Sequence, residues 1–486
     1  MPDPFHIVLK NFVEAKGTNI LQASEKIGIQ RQKFYRFMEG TAFPSVAELD
    51  ALCRVIRPSI SEKSRLFESY RMTEVGPTVY NSRLFVEELI TQVNYSISRN
   101  EAVPKMRSLA KFSENDLPPV LKNKHEVDLA IRTMFADDDT DGLTIHILAQ
   151  PDSAVLLDSL KMLLEQASAK TKIFHGIRLF SSMDEAANIR VFSKIVPLLY
   201  IHNENVKYSA KYHYVSDLSF NKSSEIYPNI IIRGTYALLV SSEMTTGIVL
   251  SNSEQVKLLV MNVKNVMGKM EELSYAFTSP ETFADFFVHQ VDVDYSEAFY
   301  FERQPCLQFV KPQNECLDVQ YTLAILEPLE KLYNAFTQRL SSGVHFHQLF
   351  TRQGMDILLN EKTFLNPAFT EQAIPCYLQG FIDHATQTSR FTLHIIPDDH
   401  LGVNMSNGFL AVMKDYCVII APYPIDCKVS PSVVIQEEGV VKAFYDYFSN
   451  LINEKCLPGE TARVTSGQEA IDYLKQCLDT FQNRGR

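Results

Sequence analysis

At 486 residues the chain exceeds what one hydrophobic core supports and calls for about three domains of roughly 150 residues each. Hydrophobic residues make up 45% and charged residues 22%, an ordinary globular balance that excludes a disordered or fibrous chain. The formal charge of −11 excludes a chain coated for nucleic acid along its whole length, and no run reaches the ~18 uninterrupted apolar residues of a membrane span. The charge is uneven: residues 1–72 carry 11 Lys and Arg against 8 Asp and Glu, which leaves 36 against 50 in the remainder. A mildly basic head on an acidic body suits a protein in which only the head touches phosphate. The eight cysteines include no C-x-x-C pair and read as reduced thiols. Residues 1–13 lack the apolar core and cleavage site of a secretory signal, so the expected location is the cytoplasm, with no membrane partner.

In chain order, a first helix is predicted from Phe5 to about Ala15, with Phe5, Val8, Leu9, Phe12 and Val13 as its core stripe and Lys16 and Gly17 ending it. From Thr18 to Gly40 follow two short amphipathic helices. Ile20, Ala23 and Ile27 share one face of the first, and Gly28 supplies the left-handed corner that ends it. The second, Arg31 to Glu39, turns Phe34, Phe37 and Met38 inward and Arg31, Gln32, Lys33, Tyr35 and Arg36 outward. Small Ala23 permits a close helix crossing. Ser45 with Glu48 makes a capping box that opens a fourth helix burying Leu49, Leu52, Cys53 and Ile56. Pro58 stops it, and Ser59 with Glu62 opens a fifth, running to about Met72.

The Thr18 to Gly40 stretch resembles the helix-turn-helix of the Xre or Cro/repressor-type family. Ala23, Gly28, Ile29, Phe34, Phe37 and Gly40 match the family pattern in register, whereas Gln22 stands for the usual Leu, Gln30 for the capping Ser or Thr, and Met38 for the Glu. The resemblance implies that Gln30, Arg31, Gln32 and Arg36 face base edges of double-stranded DNA, with Lys33 and Tyr35 on the backbone. Paired donors and acceptors of Arg and Gln suit guanine and adenine in the major groove, and Lys or Tyr suits phosphate. It also implies a homodimer, because one head reads one half-site.

Gly76 and Pro77 mark a boundary, after which Leu84, Val86, Leu89, Ile90 and Val93 lie on a further helix that serves as connector or dimer contact. Residues 100–122, with Pro104, Pro118 and Pro119, read as a linker. From about 125 to 275 the pattern is α/β: strands at Leu143 to Leu148, Ile173 to Phe180, Tyr208 to Val215, Ile230 to Ile232, Ala237 to Val240 and Gly247 to Leu250, with helices at Ala154 to Ala167, Asp184 to Leu199 and Ser253 to about Tyr275. The segment from Asn407 parallels that from Asn229: two strands joined by a turn, a third short strand, then an amphipathic helix entered through Glu437 or Ser253. Identity is low, and duplicated or independent modules both fit. Related modules would leave a cleft for a ligand. Gln468 to Phe481 forms a last helix, with Ala470, Ile471, Leu474 and Leu478 on one side.

The expected architecture is mixed: an all-α five-helix helix-turn-helix domain (1–74), a helical connector and linker (75–122), an α/β module (123–276), a second α/β module (277–460) and a C-terminal helix (461–486). Each module loosely resembles half of a phospholipase D-like domain, but none of the 12 His is followed by Lys two residues on, so that family's H-x-K pair is absent and such a fold would be non-catalytic.

Other sites fail on inspection. DDDTDG at 137–142 begins like a calcium loop but holds Leu148 where the closing Glu belongs. His345 and His347, and the turn Asp398, Asp399 and His400, lack a metal-ligand spacing. The aromatics of Tyr208 to Tyr214 and Phe444 to Phe448 suit core packing or stacking on a ligand. No Rossmann glycine pattern, phosphate-binding loop, G-x-S-x-G or H-E-x-x-H occurs. No catalytic residue, metal or cofactor is therefore expected. The reading is a DNA-binding transcriptional regulator with a sensing or dimerising body for a small-molecule or peptide effector. An enzyme recruited through a helical head and a protein-docking module remain the alternatives.

Overall fold

The computed structural model describes residues 3–99, 117–136, 142–180, 185–201, 203, 205–215, 226–273, 280–289, 293–306, 309–312, 319–362, 364, 370–397, 408–422, 432–453, 457 and 464–484. The chain divides into two compact units, Met1–Leu84 with Ser449–Val464, and Phe85–Phe448 with Thr465–Arg486. The class is mixed, helices first and an α/β body after them.

The first unit holds α1 (Phe5–Ala15), α2 (Ile20–Ile27), α3 (Arg31–Met38), α4 (Val46–Ile56) and α5 (Ile60–Val75). Its core gathers Phe5, Val8, Leu9 and Phe12 of α1, Ala23 of α2, Phe34 and Phe37 of α3, Leu49, Leu52 and Ile56 of α4, and Leu66, Phe67 and Tyr70 of α5. Leu457, far along the chain, is buried in the same cluster. Both predicted capping boxes form, Ser45 with Glu48 and Ser59 with Glu62. Met38 and Cys53 are half-buried at the rim of the core. The buried Tyr70 hydroxyl donates to the Pro44 carbonyl at 3.0 Å, tying α5 to the turn before α4.

After α6 (Pro77–Arg99), which buries Val86, Leu89, Ile90 and Val93 but leaves Leu84 exposed, come two sheets. The first is built from β1 (Val120–Leu121), α7 (Lys124–Met134), β2 (Leu143–Leu148), α8 (Ala154–Gln166), β3 (Thr171–Phe180), α9 (Glu185–Ile195), β4 (Val206–Val215), β5 (Asn229–Arg233), β6 (Tyr236–Val240), β7 (Gly247–Leu250), α10 (Ser253–Met267) and β8 (Glu271–Glu272). The second is built from α11 (Pro280–His289), β9 (Glu297–Glu302), α12 (Val319–Ser342), β10 (His345–Thr351), α13 (Arg352–Asp356), α14 (Ile374–Gln387), β11 (Phe391–Ile396), β12 (Gly408–Met413), β13 (Cys417–Pro422), β14 (Val433–Ile435), α15 (Glu438–Asn453), β15 (Thr465–Ser466) and α16 (Gln468–Arg484). The predicted helix to Leu199 changes at Val196 to a short 3-10 turn containing Pro197, which has no N–H to continue the α-helical ladder. The expected linker ends by forming β1, which pairs with β7.

Among the described residues the first sheet runs β1-β7-β6-β5-β2-β3-β4-β8 and the second β14-β13-β12-β9-β10-β11-β15. Leaving out β1, the two orders are one diagram: three parallel strands, then an antiparallel three-strand meander returning beside the first of them, with a short antiparallel strand closing the far edge. The parallel that the sequence showed only from Asn229 and Asn407 thus extends over both whole modules.

One face of the first sheet packs on α10 through Leu148, Ile232, Ala237, Val256, Val263 and Met267. On the other, buried Arg233 donates to the carbonyls of Met134 and Ala136 at the end of α7. In the second sheet Tyr300, Phe346, Phe350, Phe391 and Leu393 face Phe336 of α12, Phe381 of α14 and Leu474 of α16. The opposite face, with Phe299 and Phe301, meets Phe448 of α15.

Candidate nucleic-acid interface

Helix α2 begins at Asn19, whose side chain accepts from the Leu21 and Gln22 amides, and ends at Gly28 with φ 79°. That left-handed corner reverses the chain at little cost because glycine has no Cβ. Gln30 then starts α3 without a side-chain cap, whereas Asn19, Ser45 and Ser59 cap α2, α4 and α5. The first turn of α3 holds no acid, and Arg31 and Lys33 oppose its positive helix end. For folding alone this is an unfavourable start. For an anion beside the helix it is favourable, since no side-chain cap occupies the first-turn amides and no acid repels it there.

The outward side chains differ in how they are held. The Arg31 guanidinium donates to the Tyr35 hydroxyl at 3.0 Å and lies 5.4 Å from its ring centroid, so these two side chains brace each other one turn apart. Lys33 is bound to the Glu48 carboxylate of α4. Burial would raise the pKa of Glu48, but its bonds to Lys33 and Ser45 outweigh that and hold it below the ordinary carboxylate value. Gln30, Gln32 and Arg36 are exposed, and the Arg36 side chain has no hydrogen-bond or ion-pair partner among the described residues. Phe34 and Phe37 are fully buried on the inner side. The six sequence-predicted residues therefore lie on or beside one short helix, five with their polar groups unclaimed by acid, the half-buried Tyr35 among them, and Lys33 paired.

In the body, residues 137–141 and 398–400 lie outside the described residues, and among those described no group of three His, Cys, Asp or Glu side chains is placed to hold a metal. The aromatic runs are tied into the fold. Tyr208 shares a 3.0 Å hydrogen bond with buried His175, and Tyr214 donates to Glu437 at 2.7 Å. Asn188 also donates to Glu437, and Tyr200 to the Ile420 carbonyl, so polar bonds join the first module to the second. An open pocket of about 510 Å³ is lined by Tyr333 of α12, Cys376, Gln379, Asp383 and His384 of α14, and Gln482 of α16.

Sequence reasoning missed a polar line on the α15 face of the second sheet. His347 Nε2 lies 2.9 Å from Glu297 Oε1, His347 Nδ1 lies 3.0 Å from His394 Nε2, and His394 Nδ1 lies 2.8 Å from Ser466 Oγ. The Tyr445 hydroxyl donates to Glu297 Oε2 at 2.6 Å. The bonds to His347 and Tyr445 hold the Glu297 carboxyl at about 2, against the opposing effect of burial. The alternation of His345 and His347 was a visible signal of a strand, but nothing local tied either residue to Glu297 or His394.

No family model matches the sequence, and no curated protein matches it. Among solved structures the chain is similar to a phosphatidylserine synthase of Haemophilus influenzae Rd KW20, with 9% identity, 80% of this chain and 97% of that chain covered, and a TM-score of 0.26. It is similar also to a polyphosphate kinase from Porphyromonas gingivalis, with 10% identity, 73% of this chain and 52% of that chain covered, and a TM-score of 0.23.

Proposed function

We propose that this chain is a sequence-specific DNA-binding transcriptional regulator of the Xre kind, acting in the cytoplasm as a homodimer. The observation that carries the reading is α3: an uncapped, cationic first turn followed by an unpaired Arg36, in a bundle where α2, α4 and α5 are capped by side chains and α1, also uncapped, has no Lys or Arg in its first turn. Local rules are broken where a surface serves a partner rather than the fold. In this reading Arg31, Gln32 and Arg36 choose the sequence, Gln30 adds an amide at the helix start, and Tyr35 with Lys33 contacts phosphate. Two heads would engage half-sites about 34 Å apart. The body would bind a small-molecule or peptide effector, and the pocket beside α14 is a place to seek it.

Selection of bound duplexes from a random pool by the full-length chain tests the proposal. A recurrent, two-fold related sequence is expected. Arg36→Ala should weaken that binding by roughly 1–3 kcal/mol and flatten preference at one base pair. Recovery of no sequence above background, or unchanged affinity and preference in the variant, would remove the support.

A further inference from the structure

Four side chains from four strands of the second sheet, Glu297 of β9, His347 of β10, His394 of β11 and Ser466 of β15, form one unbroken hydrogen-bonded line. Its direction follows from the carboxylate. Glu297 only accepts, so His347 Nε2 carries a proton; with one proton on each ring, His347 Nδ1 accepts from His394 Nε2, and His394 Nδ1 accepts from the Ser466 hydroxyl. Every donor thus points from the serine toward the carboxylate. We propose that Ser466 is a nucleophile that takes an acyl group from a carboxylic ester, with His394 as its base and His347 and Glu297 as positioning residues.

Three features of the site fit that role. The strand ladder holds the parts rigidly: Ser466 sits directly opposite His394 in the β11–β15 pairing. Burial is graded, with His394 buried and Ser466 half-buried at the edge strand, so a desolvated base ends at a residue that solvent partly reaches. Burial, and after it the neighbouring His347, lower the pKa of His394, so the ring is neutral at rest and holds a proton only in passing. Finally, Gly467 with φ 59° turns the chain directly from Ser466 into the 17-residue helix α16, which fixes the end of β15 in place.

In the first step Ser466 Oγ would attack the ester carbonyl carbon while its proton passes to His394 Nδ1. The imidazolium is stabilised through His347 by the Glu297 carboxylate. Collapse breaks the carbon–oxygen bond to the leaving alcohol, which takes the proton from His394. Water then cleaves the seryl ester by the same route, so ester and water become acid and alcohol.

The test uses a fluorophosphonate, whose phosphorus would bond to Ser466 Oγ as fluoride leaves with the serine proton. The folded full-length chain should gain one adduct, mapped by mass spectrometry to Ser466 and absent from urea-unfolded protein. Glu297→Gln, checked for an unchanged circular dichroism spectrum, should slow labelling at least about tenfold, and Ser466→Ala should abolish it. Absence of an adduct, an adduct on another residue, or equal labelling of folded and unfolded chain would overturn the proposal. So would a folded Glu297→Gln chain labelled at the wild-type rate, because the line of bonds would then be structural only.

Discussion

Lys33 of α3 is held by Glu48 of α4, the same carboxylate that closes the capping box with Ser45. One side chain therefore both starts α4 and restrains a cation of the candidate reading helix. Glu48→Gln keeps a capping group but removes the charge, and should cost under about 1 kcal/mol because the pair is partly exposed. On the proposed DNA-binding role it should also remove the carboxylate that competes with phosphate for Lys33, raising affinity for duplex DNA. Glu48→Ala should cost about 1 kcal/mol more by losing the cap. Because the folded pKa of Glu48 is lowered, its contribution is present above the ordinary carboxylate value of 4.5 and is lost as pH falls through the lowered value. Urea unfolding followed across that range should show the loss in the wild type and not in Glu48→Gln.

Two glycines should respond to alanine for different reasons. At Gly28 an added Cβ meets nothing within 4 Å, so the cost is the left-handed backbone at φ 79°, about 1–2 kcal/mol. At Gly354 the same atom would lie 1.8 Å from the Arg303 carbonyl oxygen, which also accepts from the Thr351 amide and hydroxyl. The backbone there has to move and break those bonds, so Gly354→Ala should destabilise the body by about 3 kcal/mol or more. Denaturant midpoints of the two variants give the comparison directly.

The head was legible because its signals are local. Phe34 and Phe37 share a face by helical spacing, Gly28 follows the last apolar position, and both capping boxes span three residues. The strands β2 to β7 were legible as apolar runs between turn residues for the same reason. The long-range bonds had no such signal: His347 and His394 are 47 residues apart, and Asn188 and Glu437 are 249 apart. Their side chains meet only because the strand order places them together, and strand order depends on pairing between distant segments. The repeated diagram was visible only where the meander and its helix are contiguous. Its parallel strands are separated by helices of different length, such as α8 with 13 residues and α12 with 24, which hid the correspondence.

Tyr445→Phe removes one of the donors that keep Glu297 ionised, leaving a half-buried carboxylate short of a hydrogen bond. The expected cost is about 1–3 kcal/mol at neutral pH. With Tyr445 present, the folded pKa of about 2 lies below the ordinary carboxylate value of 4.5, so stability from this carboxylate is full above 4.5 and declines as pH falls toward 2. The variant should begin from a lower stability and lose less across that window. Guanidinium titrations of both proteins at several acid pH values would show whether their curves converge.

Leu457 is 4% exposed in the cluster formed by α1 to α5, although it lies almost 400 residues beyond their end. Its neighbours in the chain were assigned to the second module from sequence, since a single leucine after a helix carries no mark of its destination. The packing makes it part of the helical unit, which also takes in Ser449–Val464. Leu457→Ala should leave a cavity costing about 2–5 kcal/mol in that unit. In hydrogen exchange on the full-length chain, amides of α1 to α5 should lose protection while those of β9 to β11 keep theirs, because only the former cluster loses contacts. Equal loss in both regions would mean that the two units unfold together, and no loss in α1 to α5 would mean that Leu457 contributes nothing to their core.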